Sequence, residues 1–420
     1  MAFWLQDSAV KSRSLPPVGV SKIPWVIRGT LLVFIGLIPL ESLGRDDTTS
    51  SFTITRIAGI FLLASCALRP KLVLRRPELV TILSFSLMTI ALLRTLFIES
   101  GVFEYALARY VTWVQMLVFY HIATPVLAET ANRILAIYAY IMGACVTSIF
   151  LLVGVGLSEV MLEKDRASLG NMDPNFQSAV LGLAAVWLIV ALVNNRNPIR
   201  KPWFLLGLPL FAIFVAAILL TGSRGGLIAL MAALILVLVT RSALSNPASK
   251  VLLLGIVALV VGVIAFHDEG IVSRVQNTIF EGDTAGRDYI FSSSFDLWMR
   301  SPWLGWGLGS NESALGGYVN KLFRDMHNIY FYTLTAAGVL GVCLLAGMLF
   351  LSIRTAVKLS DSLLRQVALI GLFFVLVTGC AITILFLKFF WLVLVISTPV
   401  LLRKERSVGY LKTAPQQESL

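Results

Sequence analysis

The chain has 420 residues, of which 57% are hydrophobic and only 14% charged, with a formal net charge of +11. Soluble domains carry roughly 25% charged residues, so this composition excludes a soluble globular protein and points to an integral membrane protein. Basic cytoplasmic loops account for the cationic balance, which removes nucleic acid as a partner.

Residues 1–24 hold Lys11, Arg13, Lys22 and Pro16-Pro17 but lack the apolar core of a signal peptide, and read as a cytoplasmic tail. From residue 25 onward, apolar stretches near the ~20 residues needed to cross a bilayer recur along the chain. The expected fold is an all-α polytopic membrane protein of about twelve transmembrane helices with one large, mostly helical periplasmic loop. The spans fall at 25–43, 52–68, 79–98, 105–127, 133–158, 177–194, 203–221, 224–241, 250–266, 327–353, 363–381 and 383–402, the last two dividing one apolar stretch. Residues 25–266 thus hold spans one to nine and 327–402 hold spans ten to twelve, ahead of a cytoplasmic tail at 403–420.

Charge fixes the orientation. Lys and Arg gather at alternate connections: Arg69, Lys71, Arg75 and Arg76; Arg196, Arg200 and Lys201; Arg241 and Lys250; Arg354, Lys358 and Arg365; Arg403, Lys404 and Arg406. The opposite connections hold most of the acids, among them Glu41, Asp46, Asp47, Glu99, Glu159, Glu163, Asp165 and Asp173. Both termini are therefore expected in the cytoplasm.

Residues 267–326 form a connection far beyond the ~12–15 residues at which loops become functional or disordered. Trp298, Trp303, Trp306, Tyr318 and Phe323 argue for order. Ile290 to Met299 has helical spacing, with Ile290, Phe291, Leu297 and Trp298 as packing residues, and a small cap over the outer mouth of the bundle is expected. Cys66, Cys145, Cys343 and Cys380 lie in apolar runs without CxxC spacing and are expected as buried hydrophobes, with no disulfide or metal site.

Four constellations carry chemistry. In Thr221-Gly222-Ser223-Arg224-Gly225-Gly226, an Arg sits between two uncharged apolar runs. At a helix centre it would cost roughly 2.5–3.5 kcal/mol unless a cavity or an anion receives it. The topology instead puts Arg224 at the outer N-terminus of span eight, with Ser223 as cap and Gly225 and Gly226 allowing close approach of a ligand. Helix N–H groups and an Arg fork together suit a phosphate; an Arg snorkelling to lipid headgroups is the plainer alternative. Alone, Gly286-Arg287-Asp288 in the long loop is a weak signal, since surface loops commonly hold an Arg paired with an Asp. In Arg324-Asp325-Met326-His327-Asn328, the helix dipole at the start of span ten would keep His327 neutral and fit for a general base; a polar helix-start residue is the alternative. Asn171-Met172-Asp173-Pro174-Asn175 is a helix-start signal in which Asn175 or Gln177 can also face a polar ligand. No metal-ligand spacing, nucleotide loop or Ser-His-Asp arrangement is present, so the set is expected to work without a metal or other cofactor. His121 and His267 read as structural or interfacial.

These residues carry a resemblance. TGSRGG at 221–226, AGRDYIFSSSFDLWMRSPWLGWGLGSN at 285–311 and HNIYFYTLTAAGVLGV at 327–342 resemble, in order, the motifs of the bacterial O-antigen ligase/polymerase superfamily. The middle segment is similar to its GR…PxxGxGxG signature, and the layout of twelve spans with one large periplasmic loop is also similar. The resemblance implies a glycosyltransferase in the bacterial inner membrane, with its active site facing the periplasm. Its donor would be an undecaprenyl-pyrophosphate-linked glycan. Arg224 and Arg287 would hold the pyrophosphate, and His327 would act as base or positioning group. Ser223, Gly225, Gly226, Arg324, Asn328 and Asn175 would contribute to binding pyrophosphate or glycan. The acceptor would be lipid A core in a ligase or a second lipid-linked glycan in a polymerase; the small Gly225-Gly226 pair keeps the polymerase open, and protein O-glycosylation is a third choice. A twelve-span transporter is the competing class. It would call for repeated halves and interrupted helices at the midplane, and no similarity joins residues 1–200 to 201–420.

Overall fold

The computed structural model describes residues 23–43, 53–98, 100–158, 166–170, 172–193, 202–240, 251, 255, 286–318 and 322–398. The expected tails, the span at 250–266 and residues 267–285 of the long loop lie outside the described residues, apart from 23–24 and the isolated positions 251 and 255. The described chain is all-helical, with one isolated bridge between Leu157 and Leu169. In order the helices are α1 (Trp25–Leu37), α2 (Ile54–Cys66), α3 (Leu79–Ile98), α4 (Phe103–Val126), α5 (Thr130–Val153), α6 (Pro174–Val193) and α7 (Pro202–Leu220). They continue as α8 (Arg224–Val239), α9 (Arg287–Met299), α10 (Ser310–Tyr318), α11 (Ile329–Val357), α12 (Ser362–Gly379) and α13 (Lys388–Ser397).

Among the described residues, α3, α5, α6, α11 and α12 are long and apolar enough to cross a membrane. Shorter apolar helices cover Trp25–Leu40, Ile54–Cys66, Leu206–Leu220, Arg224–Val239 and Lys388–Ser397. The apolar stretch after residue 362 is two helices, because Cys380 to Leu387 form a turn with a short 3-10 segment at Ile384–Phe386.

Composition explains who sits inside. Helix α6 is apolar around its whole circumference and buried at nearly every position, packed by α5, α7, α8 and α12. Helix α13 is likewise buried throughout. Peripheral helices keep large apolar side chains outward, among them Phe61, Phe97, Ile228 and Phe350, as a bilayer would favour.

The long loop does more than cover the bundle. Helix α9 starts at Arg287, after Gly286 at φ 71°, and buries Ile290, Ser293, Ser294 and Leu297, while Phe291 stacks on Phe331 of α11. Residues 302–309 then insert between α3 and α11. Helix α11 is broken at Gly338 (φ 63°, ψ −160°), which frees backbone groups from the helical ladder. The inserted loop satisfies them: Trp306 and Gly307 donate to the carbonyls of Thr335 and Ala336, and Val339 donates to Pro302. Leu308 also donates to Ala91 of α3 at 2.9 Å. Gly305 and Gly307 have φ of 67° and 98°, and a Cβ on Gly305 would lie 2.6 Å from the Ala336–Ala337 peptide. The glycine signature is thus an insertion device, since nonhelical backbone at this depth must be paired within the protein. A simple lid was expected; the described part of the loop is instead built into the bundle.

Two further expectations shift. The four cysteines are unpaired, but Cys343 on α11 and Cys380 in the turn after α12 are exposed rather than buried. The helix expected as span ten is α11, which starts at Ile329 with Asn328 as its cap, so His327 precedes the helix.

Candidate functional site

Helix ends from distant parts of the sequence converge at one end of the bundle. Ser223 caps α8, its hydroxyl accepting from Gly226 N at 3.2 Å, as its position before an apolar run predicts. The same hydroxyl donates to Asn175 Oδ1 of α6 at 3.0 Å. Asn175 N in turn donates to Asp173 Oδ1 at 2.7 Å. The glycines serve packing: a Cβ on Gly226 would collide with Ser178, and one on Gly225 would lie 2.8 Å from the Ala381 side chain. Close approach here is helix against helix.

Arg224 opens α8 and is half-buried. Arg287 opens α9, and its charge and that of Arg224 act on each other. Burial first and Arg224 second hold Arg287 below its ordinary range, while Asp173 pulls the other way. The net direction is downward, so the nearby carboxylate does not offset the cost of placing two guanidiniums together. Two like charges at a helix start form an arrangement that an anion would stabilise.

His327 lies across the turn that follows α12. That turn touches both halves of the site, through Ala381 against Gly225 and through the Cys380 carbonyl, which accepts from Asn328 Nδ2 at 3.1 Å. Asn328 Oδ1 accepts from Tyr330 N and Phe331 N, so both ends of this amide are engaged in holding the start of α11. His327 itself has φ 50°, the sole positive value on a non-glycine among the described residues. Such a backbone costs about 1–3 kcal/mol and persists where surrounding contacts enforce it. Here Asp325 does so: its Oδ1 accepts from His327 N at 3.1 Å and from Thr383 Oγ1 at 2.7 Å, and its Oδ2 stands 4.0 Å from His327 Nδ1. The ring is part-exposed, with a carboxylate behind its Nδ1, which is the setting a proton acceptor needs. Arg324 is half-buried and its N–H donates to the Glu312 carbonyl at 3.0 Å, tying the His327 segment to α10.

Sequence reasoning missed two groups. Arg166, in the connection between α5 and α6, donates from Nε to the Thr221 carbonyl and from Nη2 to Asn175 Oδ1, each at 3.0 Å. Glu312 on α10 is buried and paired with Arg109 of α4 at 3.0 Å, and Arg109 also donates to the Tyr105 hydroxyl and lies over the Phe386 ring. Burial pushes Glu312 up to about 7, Asp325 adds to the rise and Arg109 opposes it. A buried Arg such as Arg109 calls for a partner, but nothing in the sequence says which acid it meets. Gln177, by contrast, was marked in the sequence; it is fully buried with no hydrogen-bond partner for its amide among the described residues.

Residues 209–346 match the family model described as O-antigen ligase. The matched segment runs from α7 into α11 and contains Arg224, Arg287 and His327. Among curated proteins none matches the chain. The family and the apolar helices together support a membrane protein.

Proposed function

We propose that the chain, whose residues 209–346 match the O-antigen ligase family model, moves a glycan from undecaprenyl pyrophosphate to an acceptor hydroxyl. The observation that carries this reading is the pairing of Arg224 with Arg287 at the starts of α8 and α9. Their guanidiniums hold the donor pyrophosphate through planar, untitratable forks. His327 accepts the proton of the acceptor hydroxyl as its oxygen attacks the anomeric carbon. The bond from that carbon to the pyrophosphate oxygen breaks, its electron pair leaves with undecaprenyl pyrophosphate, and the configuration inverts. Negative charge grows on the leaving group, so fixed cations stabilise the transition state more than the bound donor. No step calls for a metal ion.

The acceptor of this reading is lipid A core, which makes the protein an O-antigen ligase. A second lipid-linked repeat, which makes it a polymerase, stays open with the small Gly225-Gly226 pair. The alternation of basic and acidic connections supports twelve spans in the bacterial inner membrane, both termini in the cytoplasm and the site facing the periplasm.

Arg224→Ala and His327→Ala are expected to abolish glycan transfer at normal protein level and membrane insertion; full activity in either variant sinks the mechanism. Transfer is expected to survive EDTA. A reporter fused after Arg300 is expected to signal the periplasm, and a cytoplasmic signal inverts the orientation. In a deletion strain, full-length polymer left on the carrier identifies a ligase, and single repeats identify a polymerase.

A further inference from the structure

Arg166 lies in a short segment that joins three elements. The segment hooks back on the end of α5, with Ser158 N donating to the Ser168 carbonyl at 3.0 Å and Gly170 N to Gly156 at 2.8 Å. Beside it, Ala167 N donates to the Leu220 carbonyl at the end of α7 at 2.8 Å. The Arg166 guanidinium then spans the Thr221 carbonyl and Asn175 Oδ1. Asn175 Oδ1 is shared with the Ser223 hydroxyl, and that hydroxyl caps α8 one residue before Arg224. From Arg166 to the backbone that aims Arg224 there are thus two routes, one through the Thr221 carbonyl and one through Asn175 and Ser223.

We infer that Arg166 is a positioning residue for the anion-binding Arg224, acting by fixing the Thr221-Gly222-Ser223 turn. The inference rests on the proposed pyrophosphate role of Arg224. Gly222 has φ 59°, so the turn depends on its one flexible residue and on the bonds either side of it. A planar fork reaches both oxygens at once, whereas a Lys ammonium is a single point on a flexible stem. Shape, and not charge alone, is what Arg166 supplies.

The test uses the full-length protein in detergent micelles, with a polyprenyl-pyrophosphate-linked glycan as donor and inorganic pyrophosphate as binding probe. Displacing a transition-state group by about 1 Å costs on the order of 100-fold, so Arg166→Ala and Arg166→Lys are expected to lower kcat about 10- to 100-fold with donor KM little changed. Pyrophosphate affinity is expected to stay near wild type, and hydrogen exchange is expected to quicken at the amides of 221–226. Weakened pyrophosphate binding restored by Arg166→Lys would make Arg166 a direct ligand and overturn the inference, as would wild-type kcat in both variants. If Arg166→Ala fails to fold, Arg166→Lys decides alone. Loss of turnover in the wild-type protein would sink the proposed function instead; exchange at 221–226 then still judges the strap, and unchanged protection overturns it.

Discussion

Two arginine clusters of similar make-up are put to opposite uses. Before the start of α3, Arg75 is paired with Glu78 and donates to the His121 carbonyl, and His121 meets Glu78 at 3.6 Å and the Val73 carbonyl at 3.0 Å. Each charge there has an opposite partner, and burial is the only force that would raise the acid; the pull of His121 and Arg75 keeps Glu78 below its ordinary range. At the starts of α8 and α9 two guanidiniums act on each other, and burial together with Arg224 keeps Arg287 below its ordinary range against the pull of Asp173. The first cluster is complete and staples the α3 and α4 ends. The second holds two like charges close together, an arrangement that a ligand of opposite sign stabilises.

The sharpest way to break this contrast is Arg287→Ala. Removing a charge-stabilising donor from such a site costs about 100- to 1000-fold in rate, so glycan transfer is expected to fall by that much. Stability is expected to hold or rise, because a like-charge contact is relieved; a thermal unfolding midpoint below wild type would mean that Arg287 is held by structural partners, as Arg75 is.

The Arg109–Glu312 pair lies between these extremes, opposite in sign yet buried. Glu312 is raised from 4.5 to about 7, so its folded form holds a proton more tightly than its unfolded form. Its contribution to stability is therefore full below 4.5 and is lost as pH rises through about 7. The window is worth at most about 3 kcal/mol. Glu312→Gln is expected to flatten the fall in unfolding midpoint across that range, measured in detergent micelles. An unchanged slope would mean that another group titrates there.

The sequence made some of this site legible and hid the rest for physical reasons. Ser223, Arg224 and the start of α8 could be read because a cap and a cation stand out against apolar runs. Arg287 and His327 could be named, and each lies at or just before a helix start, but their approach to one end of the bundle depends on packing among α8, α9, α11 and α12. The roles of the glycines were harder. Gly305, Gly307 and Gly338 serve a loop threaded against a broken helix, and that break leaves no trace in hydropathy. Arg166 was hidden for a related reason: its partners are a carbonyl and an amide, groups that every stretch of chain offers. Pairing of this kind is set by geometry, not residue type.

The smallest effect belongs to the completed cluster. Arg75→Ala removes one part-buried ion pair and one bond to a carbonyl, while His121 keeps Glu78 paired, so the net loss is expected to be about 1 kcal/mol. His121 retains its contacts with Glu78 and Val73, so the α3 and α4 ends stay joined through the imidazole. A slight drop in unfolding midpoint is expected, with glycan transfer at the wild-type rate per folded molecule. Should transfer fall in step with Arg287→Ala, charge balance would no longer separate the two clusters, and the Arg75 end of the molecule would have to be coupled to the chemistry through the length of α3 and the loop inserted beside it.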